Sequence, residues 1–147
     1  MNKPSLSSET LHASCVALNG RAILIAGRSG AGKSDLALRL IDRGARLVSD
    51  DYTMLRRVGG RLLASAPANI EGKIEVRGIG VVAFERQEDV PVCLAIDLDR
   101  AVERLPDPHD PLVVAGIKVP VIGLNGLEAS APVKVELALA EFGLSAA

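Results

Sequence analysis

Hydrophobic and polar positions alternate along this chain in short segments that predict a sheet with few helices. The apolar run 22–26 has the length and β-branched content of a buried strand. From Lys33 onward the apolar spacing predicts an amphipathic helix of about ten residues, which Gly44 is suited to end. A second helix is predicted after Pro132, with apolar residues on two faces. We therefore expect this second helix to pack on two sides.

Most of the remaining chain predicts strands joined by tight turns. A strand at 11–18 leads through Asn19-Gly20, a type I′ turn signal, into the strand at 22–26. Further strands are predicted at 46–49, 52–58, 61–65, 70–76, 81–85, 92–98, 112–114 and 117–122. A doubly wound domain alternates strands and helices, whereas only two helices are predicted here. The fold class that follows is α/β with a mixed, hairpin-rich sheet.

Composition narrows the class of protein. The 147 residues are 48% hydrophobic, which predicts one compact domain at 11–147 after a flexible N-terminus at 1–10. An aromatic content of 2% and a net charge of -1 argue against nucleic-acid binding. No apolar stretch approaches 18 residues, so we expect a soluble cytoplasmic protein without a membrane span. Cys15 and Cys93 fit no metal or redox spacing and are predicted to be buried free thiols.

The first chemical signal lies between the strand at 22–26 and the helix that follows. Residues 27–34 read Gly-Arg-Ser-Gly-Ala-Gly-Lys-Ser, a complete G-x-x-x-x-G-K-[ST] phosphate loop in its required strand-to-helix setting. Backbone N–H groups and the helix dipole bind phosphate in such loops, while Lys33 neutralises β and γ oxygens and Ser34 ligates Mg²⁺. The alternative is a glycine-rich turn with an exposed lysine. The predicted phosphate-binding residues are Gly27, Arg28, Ser29, Gly30, Ala31, Gly32, Lys33 and Ser34.

A pair of aspartates follows the strand at 46–49. This is where a carboxylate must stand to reach a metal ion beside the phosphate loop. Side-chain alternation along a strand sends neighbours to opposite sides, so we assign Asp50 to the metal and Asp51 to the incoming nucleophile as general base. The alternative is that the two aspartates only begin a turn.

Three further residues are weaker candidates. Glu75 interrupts an apolar strand, and Arg77 follows on the same face, so the two side chains can hold metal and phosphate. A solvent-facing ion pair on an edge strand is the alternative for both. A lone histidine such as His12 is more often structural than catalytic, and Arg104 is not distinguishable from other surface arginines.

Taken together, these motifs resemble the C-terminal catalytic domain of HPr kinase/phosphorylase. The resemblance covers about residues 10–143, and its most family-specific piece is the Glu-x-Arg-Gly-x-Gly segment. It implies an ATP-dependent kinase that phosphorylates a serine of the phosphocarrier HPr, in the phosphotransferase system, with a phosphoenolpyruvate carboxykinase-like fold. The segments that match, in the order of the family, are His12, 27–34, 43–44, 47–51 and 74–80.

The resemblance also implies roles for individual residues. Active-site roles fall on His12, Lys33, Asp51 and Arg104, and magnesium roles on Ser34 and Glu75, beside the Asp50 assigned above. ATP and Mg²⁺ are the implied cofactors, and HPr is the implied protein partner. Family members assemble as hexamers, so a homo-oligomer is expected.

Two departures from the family pattern change what we expect of the domain content and of the dephosphorylation activity. Only about ten residues precede the first strand, so the chain resembles a short form that lacks the N-terminal domain of longer members. The late loop carries an arginine in the family, but residues 122–126 read Ile-Gly-Leu-Asn-Gly. Without this cation, kinase activity should exceed phosphate-dependent dephosphorylation. A non-catalytic ATP-sensing protein and a small-molecule kinase remain the alternative functions.

Overall fold

A computed structural model of the chain describes residues 7–147. Within these residues, two helices and twelve strands follow one another. The helices are α1 (Lys33–Asp42) and α2 (Ala131–Phe142). The strands are β1 (Ser8–Leu11), β2 (Ala13–Leu18), β3 (Arg21–Ala26), β4 (Arg46–Ser49), β5 (Thr53–Val58), β6 (Arg61–Ser65), β7 (Lys73–Val76), β8 (Gly80–Ala83), β9 (Val90–Asp97), β10 (Leu112–Val114), β11 (Ile117–Val119) and β12 (Val121–Gly123).

The main sheet is mixed, as the sequence predicts. Its strand order is β1-β5-β6-β9-β3-β2-β4, and β12 adds to β9. Strand β9 runs parallel to β3 and β12, whereas the other pairs of this sheet are antiparallel. The hairpins β7–β8 and β10–β11 form two separate two-stranded sheets. The fold is therefore a mixed α/β fold rich in hairpins.

Strand β9 divides the main sheet into two halves, β1-β5-β6 and β3-β2-β4. The chain passes between the halves twice before it reaches β9, first at His12 and again at residues 50–52. The predicted strand 11–18 is consequently two strands, and His12 lies between them rather than within one. Strand structure begins at Ser8, so residues 8–10 of the predicted flexible N-terminus are paired with β5, while residues 1–6 lie outside the described residues.

Two apolar cores cover the two faces of the sheet. Helices α1 and α2 pack on one face, where Ile23, Leu36 and Leu139 are buried. The other face buries a second cluster that includes Leu24 and Leu62, and residues of the β10–β11 hairpin complete it. The alternation of Ile23 and Leu24 between the clusters follows from the two-residue period of a strand.

Helix α2 packs on one side only, contrary to the expectation from its apolar pattern. Val135 and Leu139 are buried against the sheet, but Val133 is 39% exposed and Leu137 is 59% exposed. The apolar pattern is the same on both faces, but only one of them has a neighbour in the described chain.

Local turn signals predicted the chain reversals well. Asn19 and Gly20 have φ angles of 51° and 78°, as a type I′ turn requires. Gly44 follows the C-cap of α1 with φ of 111°, which confirms the predicted end of this helix. Glycine is favoured in this left-handed conformation because it has no Cβ atom.

Two of the predicted strands are interrupted. Residues 68–70 form a 3₁₀ turn, and Gly72 has a φ of 69°, so β7 begins only at Lys73. The predicted strand 117–122 is divided into β11 and β12 at Pro120, which has no N–H group for a strand ladder. The remaining predicted strands keep their bounds or shift by at most two residues.

Both cysteines are buried and free, as expected. Burial away from water raises the pKa of the Cys15 thiol, and the same cause raises that of Cys93. Within residues 7–147, neither helix has the length and apolar composition needed to cross a membrane.

Candidate functional site

The phosphate-loop motif forms the turn between β3 and α1. Gly27, Gly30 and Gly32 have φ angles of 152°, 85° and 97°, which favour glycine. A Cβ atom on Gly27 would lie 3.1 Å from the Cβ of Leu98 and 3.2 Å from that of Ala31. The motif therefore has the strand-to-helix setting and the close backbone packing that the sequence predicts.

Lys33 is buried at the first turn of α1, with 6% of its surface exposed. Its Nζ donates hydrogen bonds to the carbonyls of Gly27 at 2.7 Å and Arg28 at 3.1 Å. The alternative of a glycine-rich turn with an exposed lysine does not fit this burial. The ammonium group is held inside the curve of the loop, where a bound phosphate would approach it.

Asp99 also holds this loop, although the sequence analysis did not single it out. Its carboxylate accepts a hydrogen bond from the backbone N–H of Arg28 at 2.7 Å. The residue follows β9, next to the loop, because β9 pairs with β3 in parallel. An aspartate directly after a strongly apolar strand was the available signal.

Ser34 and Asp50 meet at the foot of the loop. The Ser34 hydroxyl donates to Asp50 Oδ1 at 2.6 Å, and Asp50 is only 8% exposed. Among the described residues, no lysine, arginine or histidine pairs with this buried carboxylate. A buried carboxylate without a cationic partner is costly, and a hydroxyl with a carboxylate is an oxygen donor set that suits Mg²⁺. The residues present therefore fit a magnesium ion.

This donor set is small by itself. Within residues 7–147 no group of three or more His, Cys, Asp or Glu side chains forms a metal site. Mg²⁺ in kinase sites keeps several waters and binds one or two carboxylates together with substrate phosphates. Ser34 and Asp50 would contribute protein ligands to such a site.

Asp51 faces the other way, toward His12. His12 Nε2 and Asp51 Oδ1 lie 2.8 Å apart, and the side chains are 42% and 55% exposed. The ring of Tyr52 stacks on the imidazole, with centroids 5.0 Å apart and planes at 27°. The two residues of this pair lie at the two points where the chain passes between the halves of the sheet.

The reason for the divergence of Asp50 and Asp51 differs from the predicted one. Strand β4 ends at Ser49, so strand alternation does not separate the two side chains. Instead, Asp51 has a φ of 67° and the Tyr52 N–H donates to the Asp50 carbonyl at 2.7 Å, which is the pattern of a γ-turn. The pair does begin a turn, and both carboxylates also line the cleft described next.

A cleft of about 870 Å³ connects these residues. One wall is formed by the phosphate loop and α1, together with Asp50 and Asp51. The opposite wall is residues 74–80 of the β7–β8 hairpin, which brings Glu75 and Arg77 to the cleft. Glu75 is exposed and forms no ion pair within the described chain, so the alternative of an ion pair with Arg77 is not observed.

Arg104 is separate from this group. It is exposed in the segment between β9 and β10 and does not line the cleft. The structure thus brings together Lys33, Ser34, Asp50, Asp51 and Glu75, with His12 bound to Asp51, and leaves Arg104 outside.

Ser14 is the second residue that the sequence analysis missed. It lies in β2 with none of its surface exposed, and its hydroxyl contacts both aspartates. A serine within an otherwise apolar strand was the available signal.

Comparisons with known proteins identify the family of this chain. A family model described as HPr Serine kinase C-terminal domain matches residues 5–125. An HPr kinase/phosphorylase from Clostridium tetani is 47% identical over 78 residues, which cover 52% of this chain and 26% of the relative. One from Brevibacillus brevis is 32% identical over 126 residues, which cover 77% of this chain and 40% of the relative.

A solved structure of a relative has a similar fold. The Hpr(Ser) kinase/phosphatase from Coxiella burnetii is 29% identical, with a TM-score of 0.77 over 90% of this chain and 88% of that chain. The chain spans less than half the length of the curated relatives that it matches. On the family model and this fold, the chain belongs to the HPr serine kinase C-terminal domain family.

Proposed function

We propose that the protein is an ATP-dependent serine protein kinase whose acceptor is an HPr-type phosphocarrier of the phosphotransferase system. The observation that carries this proposal is the meeting of three groups in one cleft: the phosphate loop, the Ser34–Asp50 pair and the His12–Asp51 pair. The names of the relatives support the acceptor.

The geometry supports transfer by positioning and charge neutralisation. The loop N–H groups and Lys33 hold the phosphates of ATP, while Ser34, Asp50 and Glu75 serve the magnesium ion. Bound Mg²⁺ supplies charge neutralisation at the β and γ phosphate oxygens. Lys33 has to leave the carbonyls of Gly27 and Arg28 to reach a phosphate, a move that a flexible side chain makes easily.

Asp51 is the proposed general base. It accepts the proton of the acceptor serine hydroxyl while that oxygen forms a bond to the γ-phosphorus and the bond to the β–γ bridging oxygen breaks. The products are phosphoserine, ADP and a protonated Asp51. His12 orients the Asp51 carboxylate through its Nε2 atom, 2.8 Å away. Arg104 lies outside the cleft and has no role in this scheme unless the segment between β9 and β10 moves.

Phosphorolysis, in which phosphate attacks phosphoserine and releases pyrophosphate, is proposed as the minor direction. Two anions must approach each other in that reaction, so a cation in the late loop lowers its barrier. Residues 122–126 supply none. Leu127 of the next turn lies against Gly32, which shows that this loop borders the phosphate loop.

An ATP sensor without transferase activity is the second candidate. Such a protein needs the phosphate loop but has no use for a carboxylate paired with histidine in the same cleft. The family resemblance extends the proposal to a phosphoenolpyruvate carboxykinase-like fold, a cytoplasmic location and a hexameric assembly. A small-molecule kinase is not favoured, because the family and its named relatives point to a protein acceptor.

The test is phosphorylation of a purified HPr-type phosphocarrier by the protein with Mg-ATP, with the modified serine located by mass spectrometry. Lys33→Ala should abolish transfer, because the phosphates lose their cation, whereas Lys118→Ala, at an exposed position of β11, should not. ATP binding without any phosphoserine would favour the sensor. Wild-type transfer by Lys33→Ala would refute the kinase mechanism.

A further inference from the structure

Ser14 is a fully buried polar side chain whose two hydrogen bonds both go to the aspartate pair. Its hydroxyl donates to Asp50 Oδ1 at 3.0 Å and accepts the backbone N–H of Asp51 at 3.2 Å. A hydroxyl has a single proton to donate. Because the Asp51 N–H is a donor, the Ser14 proton is available to Asp50, and the directions of both bonds are fixed.

The segment that Ser14 contacts has an uncommon backbone. Asp51 is a non-glycine residue with a φ of 67°, at the centre of the γ-turn described above. Such conformations persist only where the surrounding structure holds them. Here Thr53 Oγ1 donates to the Ala13 carbonyl at 2.7 Å, and the Ser49 hydroxyl donates to the Tyr52 carbonyl. Ser14 is the one member of this group that contacts Asp50 and Asp51 directly.

The two contacts have opposite effects on the two carboxylates. The bond to Asp50 Oδ1 keeps this side chain inward, where the Ser34 hydroxyl meets the same oxygen. The bond to the Asp51 N–H turns that peptide inward, and the Asp51 side chain then points outward to His12. One hydroxyl thereby sends adjacent, chemically identical groups to two different places in the cleft.

We propose that Ser14 is a positioning residue that separates the metal-side carboxylate of Asp50 from the general base Asp51. The inference rests on the proposed kinase function for the roles of the two aspartates, but the contacts of Ser14 do not depend on it. Without the hydroxyl, the Asp51 N–H loses its acceptor and Asp50 loses one of two donors, since water has no access to a fully buried position.

The experiment compares Ser14→Ala with Ser14→Thr, which keeps the hydroxyl, and with Cys15→Ala as the matched control. Cys15 is the next residue of β2 and is equally buried, and its thiol donates to the Val16 carbonyl instead of either aspartate. For Ser14→Ala we expect kcat for HPr phosphorylation to fall at least tenfold while KM for Mg-ATP stays within about twofold, since Ser34 still holds Asp50 Oδ1 and the phosphate loop is untouched. Ser14→Thr should recover most of the lost kcat, and Cys15→Ala should keep the wild-type value.

Amide hydrogen exchange provides a readout that needs neither nucleotide nor acceptor. The Asp51 amide should be protected in the wild type and in Cys15→Ala, and should exchange at least tenfold faster in Ser14→Ala. A Ser14→Ala kcat equal to that of Cys15→Ala, or undiminished protection at Asp51, overturns the inference. If the wild type transfers no phosphate, the kinase function fails, and loss of protection at Asp51 still supports the positioning by Ser14.

Discussion

At the scale of single residues, the two adjacent aspartates of the candidate site lie in different surroundings. Asp50 is 8% exposed and accepts bonds from two hydroxyls, whereas the Asp51 side chain is 55% exposed and pairs with His12. The sequence predicted that the two side chains point to different sides, and their different partners confirm this, whereas the metal and base roles stay predictions. It did not predict the γ-turn, nor the contacts of Ser14, which join residues more than 35 positions apart.

The division of roles predicts different kinetic defects for the two amide variants. Asp51→Asn should keep Mg-ATP affinity and lose about 10²-fold to 10⁴-fold in kcat, since an amide cannot take the serine proton. Asp50→Asn should instead raise the Mg²⁺ concentration needed for half-maximal rate. Nucleotide titrations and steady-state kinetics over a range of Mg²⁺ concentrations measure both effects. Identical defects in the two variants would contradict the assignment.

At the scale of elements, helices and turns set by neighbouring residues were predicted better than the pairing of strands. The helix that begins at Lys33 and the turn at Asn19-Gly20 are set by residues close in sequence, so both were predicted correctly. Which strands pair is set by distant contacts, and the separation of β7–β8 from the main sheet was not predicted. Helix α2 shows the same limit, since an apolar stripe does not reveal whether a neighbour covers it.

The contact between the two helices predicts a pH-dependent stability. Arg43, at the end of α1, binds Glu136 of α2 through two hydrogen bonds of 2.9 Å and holds the pKa of that carboxyl below its ordinary value of 4.5. The folded state therefore gains stability above pH 4.5 that is lost as the pH falls through the lowered pKa.

Glu136→Gln should accordingly lower Tm slightly at pH 7, and the difference from wild type should shrink as the pH falls below 4.5 and through the lowered pKa of Glu136. Thermal melts followed by circular dichroism at a series of pH values measure this. Glu141→Gln is the control, because Glu141 lies exposed on the same helix and forms no ion pair in residues 7–147. A Tm difference between Glu136→Gln and wild type that grows as the pH falls would have the opposite pH dependence and would exclude this ion pair as its cause.

At the scale of the whole molecule, both cores share the strands of one sheet. Leu36 of α1 is fully buried in one core, and Leu62 of β6 is 1% exposed in the other. Because β3 and β9 contribute to both cores, loosening either core should destabilise the entire domain.

Leu36→Ala and Leu62→Ala should each lower the free energy of unfolding by about 2–5 kcal/mol. Urea unfolding followed by circular dichroism should show one transition in each variant, with the same midpoint by hydrogen exchange of amides from both cores. Separate midpoints for the two cores would show that the halves unfold independently.

The central place of β9 has a consequence for synthesis of the chain. The loop, both aspartates and His12 lie within the first 51 residues, yet the strand that joins the halves of the sheet spans Val90–Asp97. A ribosome adds residues from the N-terminus at about 5–20 per second. For several seconds the nascent chain thus carries every residue of the proposed phosphate loop and base without β9, the parallel neighbour of β3. On the proposed function, the ability to bind nucleotide is therefore acquired only once β9 has been made and inserts between β3 and β6.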